Sequence, residues 1–200
     1  EKNFENSISI PDLNNLKKFL DNNIFKIEKL IGKFIKNINL ILDSEKFLRI
    51  NICLKKNNYE QIITKKILEN SLIELKDLFN ESYQDYKIVH MLLVSYLIDG
   101  SHYSELKFDL NFKNLSLETQ FIALPIKLVF EINKTLENYQ IKITNYFDQN
   151  YIQSLFKGQN MDLSEMAYKS KFGFNNNEVS LIPKNIKKTG FFEKFFQLFS

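Results

Sequence analysis

The sequence predicts an α+β fold, and three features carry that prediction. Apolar residues recur at helical spacing in some stretches and alternate in others, the two kinds of stretch interleave irregularly, and two neighbouring alternating runs read as a hairpin. This combination argues against a helical bundle and against a doubly wound parallel sheet. With 44% hydrophobic and 14% aromatic residues, the 200-residue chain carries enough apolar surface for one core with a small appendage.

Taken in order, Ile8 and Ile10 alternate with polar residues before Pro11 and Asp12 open a helix. Leu13, Leu16, Leu20, Ile24, Ile27 and Ile31 recur along it, and Gly32 is its expected C-terminal cap. From Phe34 to Leu42 the pattern turns to alternation at Ile38, Leu40 and Leu42. After Asp43-Ser44-Glu45 a second strand alternates Leu48, Ile50, Ile52 and Leu54, so the two runs predict a hairpin. Tyr59 to Phe79 predicts a helix with Leu68, Leu72, Leu75 and Phe79 in register, and a polar bridge from Asn80 to Asp85 leads into a strong strand, Lys87 to Ile98. Asp99-Gly100 marks a turn. Leu115 to Leu124 predicts the next strand, stopped by Pro125 at the first turn of a helix that carries Val129, Ile132 and Leu136. Ile141 and Ile143 suggest a short strand, Tyr151 to Phe156 a short helix, and Asp162 with Glu165 a capping box before a further helix. Val179 to Ile182 is a candidate closing strand.

Several chemistries are excluded by what the chain lacks. Its 27 basic and 24 acidic side chains leave a net charge of +3, which is no nucleic-acid signature. The one cysteine, Cys53, rules out an internal disulfide framework or a multi-thiolate metal site and suits a reducing cytoplasm; between Ile52 and Leu54 it is expected to be a buried small hydrophobe. The longest apolar run, Met91 to Val94, is far shorter than the roughly 20 residues of a spanning helix. The first residues have neither a Met nor the pattern of a signal peptide, and read as a cytosolic chain entered part-way. Gly32, Gly100, Gly158, Gly173 and Gly190 are too scattered to cradle a phosphate, and His90 and His102 lack the close-set ligands of a zinc site. No catalytic constellation is found, so the expectation is a protein that is not an enzyme, with no cofactor, metal, ATP or nucleic-acid partner.

The C-terminal segment is the strongest local signal. After Pro183 and a Lys-, Asn- and Thr-containing linker with Gly190 come Phe191, Phe192, Glu193, Lys194, Phe195, Phe196, Gln197, Leu198, Phe199 and Ser200. At about 100° per residue the phenylalanines and Leu198 fall on one arc of roughly 160° and every polar residue on the other. So short a helix does not hold in water unless its apolar face is buried. With Lys184, Lys187, Lys188 and Lys194 at hand to meet anionic headgroups, the segment is expected to lie on a membrane surface.

The strand Ile88-Val89-His90-Met91-Leu92-Leu93-Val94-Ser95-Tyr96-Leu97-Ile98-Asp99-Gly100 resembles a stretch of the bacterial FtsA cell-division family. His90, Tyr96, Ile98, Asp99 and Gly100 match by position, while Leu93 stands where that family usually has proline and Ser101 to Asn114 replace its Gly- and Pro-rich loop. His90 and Tyr96 are read as structural residues on the same side of the strand, and Asp99-Gly100 as turn chemistry. The resemblance implies an FtsA-specific inserted subdomain of strand-helix-strand-strand type over residues 1–125. It further implies a residual actin-like helix and strand segment over 126–183, and a linker with an amphipathic membrane-targeting helix over 184–200. Nothing matching that family's nucleotide-binding and FtsZ-binding subdomains follows Phe156. The resemblance also asks that the Ile38 to Leu54 hairpin share one sheet with Ile88 to Ile98 and Leu117 to Leu124, and separate sheets would remove the assignment. The function it implies is a membrane-surface adaptor or scaffold in septum assembly, peripheral on the cytoplasmic face of the bacterial inner membrane. Its expected partners are an anionic membrane surface and other division proteins or further copies of itself. The alternatives are a pilus or secretion assembly protein of the related actin-like group and an unrelated small α+β ligand-binding domain.

Overall fold

The computed structural model describes residues 10–103 and 110–179. It is a mixed α+β protein with, among the described residues, five helices and two sheets. Among the described residues the chain divides into two compact units: residues 10–47 with 124–167, and residues 48–103 and 110–123 with 168–179. Described residues of the expected 1–125 segment occur in both units. Residues 1–9 and the amphipathic segment 184–200 lie outside the described residues, as do the last three positions of the expected strand Val179 to Ile182.

The first unit contains α1 (Ile10–Ile31), β1 (Asn37–Leu42), α3 (Ile126–Glu137), β6 (Lys142–Asp148) and α4 (Gln149–Leu155). Strand β1 pairs with β6 in parallel, from Asn37 opposite Lys142 to Leu42 opposite Asp148. Helix α3 buries Leu128, Val129, Ile132 and Leu136 and packs on α1 and β6. Pro125 is its N-cap, where proline's missing N–H costs no intrahelical bond. The fully buried Asp148 caps α4 by accepting from the Asn150 N–H.

Two tyrosines make this unit sensitive to alkali. The Tyr139 hydroxyl donates to Asp21 Oδ1 at 2.6 Å, and Tyr146 donates to Asn133 Oδ1 at 2.9 Å. Desolvation, with the hydrogen bond and charge of Asp21 behind it, pushes the Tyr139 hydroxyl up to about 12. Burial also raises Tyr146 to about 12. An unfolded tyrosine titrates near 10, so above that pH the folded state holds protons that the unfolded state releases. The contribution to stability is complete below pH 10 and is lost as pH rises toward 12. The thermal midpoint should fall as pH rises from about 10 toward 12, with tyrosinate absorbance rising in step with unfolding.

The second unit contains β2 (Leu48–Ile62), α2 (Lys65–Ser82), β3 (Tyr86–Ile98), β4 (Ser101–His102) and β5 (Asn111–Pro125). Its sheet has the order β2-β5-β3-β4. Strands β2 and β5 run antiparallel, with Ile50 opposite Phe121, Ile52 opposite Thr119 and Leu54 opposite Leu117. Helix α2 lays Leu68, Leu72, Leu75 and Phe79 against one face of this sheet, and Phe79 stacks on Phe121 with ring centroids 4.8 Å apart. The opposite face of β2 and β5 is polar, with Asn51 bonded to Glu118 and Gln120 bonded to Asn51. An antiparallel sheet buried on one side reads as this alternation.

Three expectations fail here. The Ile38 to Leu54 hairpin does not form, because β1 pairs with β6 and β2 with β5, in separate sheets. The connection between them is no exposed hairpin turn: Ser44 and Phe47 are buried, and the segment has no Asn-Gly or Asp-Gly pair. Cys53 is exposed, because Ile52 and Leu54 turn toward the core and pleating puts the residue between them on the outer face, its Sγ 3.3 Å from Ser116 Oγ. The helix expected from Tyr59 begins only at Lys65, since a register shift after Asn57 carries β2 on to Ile62 and Thr64 supplies the N-cap, accepting from the Ile67 N–H.

Candidate functional site

The residues singled out in the sequence, His90, Tyr96, Asp99 and Gly100, all lie on β3 and the turn that ends it. The core-facing side chains of β3 are Tyr86, Ile88, Met91, Leu93, Tyr96 and Ile98. Three-residue steps from Ile88 to Met91 and from Leu93 to Tyr96 break the two-residue period, so the expectation that His90 and Tyr96 share a side by parity does not apply. Tyr96 belongs to the core, its ring centroid 6.1 Å from that of Tyr103.

His90 is 2% exposed, and its Nδ1 sits 2.6 Å from Glu178 Oε1. Glu178 reaches it because residues 177–179 run along β3: the Leu93 N–H donates to the Asn177 carbonyl and the Val179 N–H to the Met91 carbonyl, each at 2.8 Å. Leu92 and Glu178 form an antiparallel bridge. Val179 to Ile182 is a candidate closing strand in the sequence, with no indication of which strand it would join, and no local signal identifies Glu178 as the partner of a histidine 88 positions away.

At the other end of β3, Asp99 and Gly100 have φ of +49° and +82°, as a two-residue type I′ turn requires. They join Ile98 to its partner Ser101 and Leu97 to His102. Nothing lies within 4 Å of a Cβ placed on Gly100, so glycine is needed there for conformation and not for space. Asp99 has a second role: its Oδ1 accepts from the backbone N–H groups of Lys113 at 2.9 Å and Asn114 at 2.7 Å. It thus ties the turn to β5.

Chemically, this is a supporting arrangement. General acid–base work needs an imidazole within reach of a substrate proton, whereas His90 is enclosed with a carboxylate partner. Among the described residues no group of three or more His, Cys, Asp or Glu is placed to hold a metal ion. No described helix is long and apolar enough to cross a membrane. The lysines and phenylalanines of the C-terminal segment lie outside the described residues. No family model matches the chain, and no curated protein matches it.

Proposed function

We propose that this protein is a non-catalytic adaptor of the FtsA-like, actin-related kind, acting in septum assembly on the cytoplasmic face of a bacterial inner membrane. The second unit binds division proteins or a further copy of the chain, and the Phe-rich segment with Lys184, Lys187, Lys188 and Lys194 holds the protein to anionic lipid.

The observation that carries this reading is the order of elements. Strand β2, helix α2, strand β3 and strand β5 run strand-helix-strand-strand once the two-residue β4 between the last two is set aside, the type that the resemblance implies for the inserted subdomain. They stand in the chain between β1 and α3, yet β1 still pairs in parallel with β6. Parallel neighbours require a crossover connection, ordinarily a helix, and here that crossover holds a whole compact unit as well as α3. The separate sheets remove the assignment in the form framed over residues 1–125. What is proposed is narrower, with the inserted subdomain beginning at β2 and β1 belonging with α3 and β6.

The test is the position of a fluorescent fusion in dividing bacteria of the source species. Midcell rings that appear with constriction are expected. Uniform cytosolic signal, or foci that follow pilus or secretion machinery, would refute the assignment. Titration with Mg-ATP should show no saturable micromolar heat, and such heat would overturn the non-catalytic reading.

A further inference from the structure

The end of α1 is exposed over much of its circumference, with Ile24, Ile27 and Glu28 half-buried. Among the described residues the three most exposed large apolar side chains are Leu30, Phe34 and Phe25, at 86%, 76% and 74%, and Ile31 is exposed as well. At about 100° per residue, Phe25, Leu30 and Ile31 point to different sides of the helix. They encircle a tip and do not form one face for a neighbouring helix.

Charge surrounds the same tip. Lys26, Lys29, Lys33 and Lys36 are all exposed, and Glu28 is the one acidic residue between Asn22 and Leu42. Its carboxylate is engaged, with Oε1 accepting from the Ile35 N–H at 2.9 Å. The Lys33 N–H also donates to the Glu28 carbonyl at 3.2 Å, and Gly32 adopts a φ of +69°. This is a Schellman closure, so Lys33 and Phe34 are folded back beside the helix end. The apolar tip is therefore built and rimmed by cations.

We propose that the tip from Phe25 to Lys36 is a second membrane contact, its apolar side chains entering the acyl boundary of an anionic bilayer while its lysines meet lipid phosphates. This rests on the membrane-surface reading above. A protein groove would complement one side of a helix; a bilayer surface accepts side chains that radiate from a tip, and its negative charge complements the lysines.

The test uses the full chain and vesicles rich in phosphatidylglycerol. The triple variant F25S/L30S/F34S should partition at least tenfold more weakly than wild type. Its thermal midpoint should stay in place, since the three side chains are exposed. K26Q/K29Q/K33Q/K36Q should bind more weakly and with a shallower salt dependence. The chain contains no tryptophan, so F34W supplies a single reporter whose emission should shift to the blue on vesicles and be quenched by brominated lipid. That readout holds even if the triple variant folds poorly. If F34W emission does not change and both tip variants bind like wild type while a tail variant detaches, the tip proposal fails and the membrane reading stands. If wild type ignores vesicles, both fail. If wild type instead self-associates through residues that the triple variant removes, the tip is a contact between copies and the lipid proposal is overturned.

Discussion

Replacing both Phe195 and Phe199 with Glu should detach the protein from anionic vesicles. The two positions lie one helical turn apart near the middle of the apolar arc, so the substitutions set two charges where hydrocarbon is expected. Each change removes a ring worth about 2 kcal/mol on burial and adds the desolvation cost of a carboxylate. Together these amount to several kcal/mol, on the order of a thousandfold in partitioning. The thermal midpoint should not move, because in this reading the segment packs on lipid and not on either unit. If the double variant instead unfolds at a markedly lower temperature and wild type ignores the vesicles, the segment is a core element and the membrane assignment is wrong. Raising salt should weaken wild-type binding without abolishing it, since the lysines assist and the phenylalanines anchor.

What was readable in the sequence divides along the range of the interaction. Helices α2 and α3 are visible because Leu68, Leu72, Leu75 and Phe79, and Val129, Ile132 and Leu136, repeat a local period that the core then buries. Asp99-Gly100 is visible because a type I′ turn demands positive φ from both residues. Pairing is a different matter. The partner of β1 lies about a hundred residues downstream, and its nearest alternating neighbour, β2, offers an equally good pattern to a local reading. Likewise the Glu178 beside His90 and the Asp21 beneath Tyr139 are set by chain return, which has no periodic signature. Cys53 is a subtler case, since the core-facing run Ile50, Ile52 and Leu54 already contained the parity that puts it outside.

The Asp99 carboxylate is the part of the candidate site with the clearest energetic consequence. Changing Asp99 to Ala removes the acceptor for the Lys113 and Asn114 N–H groups and forces alanine into a left-handed conformation at φ +49°. Each lost bond is worth about 1 kcal/mol at an exposed site, and the left-handed backbone costs alanine about 1 kcal/mol more. The expected loss is about 2–3 kcal/mol, read as a lower urea midpoint with an unchanged slope. Asp99 to Asn is the discriminating control, because asparagine tolerates the left-handed region and keeps an oxygen acceptor. It should lose less than about 1 kcal/mol. Equal losses from the two variants would mean that the carboxylate charge, and not the bonds to Lys113 and Asn114, holds this end of β3. A neutral D99A would show that the turn is set by Gly100 alone. The bond-based account also makes a local demand: amide exchange at Lys113 and Asn114 should accelerate in D99A and stay slow in D99N, while exchange at Leu93, further back along β3, and at Val179, which donates to the Met91 carbonyl, should not change.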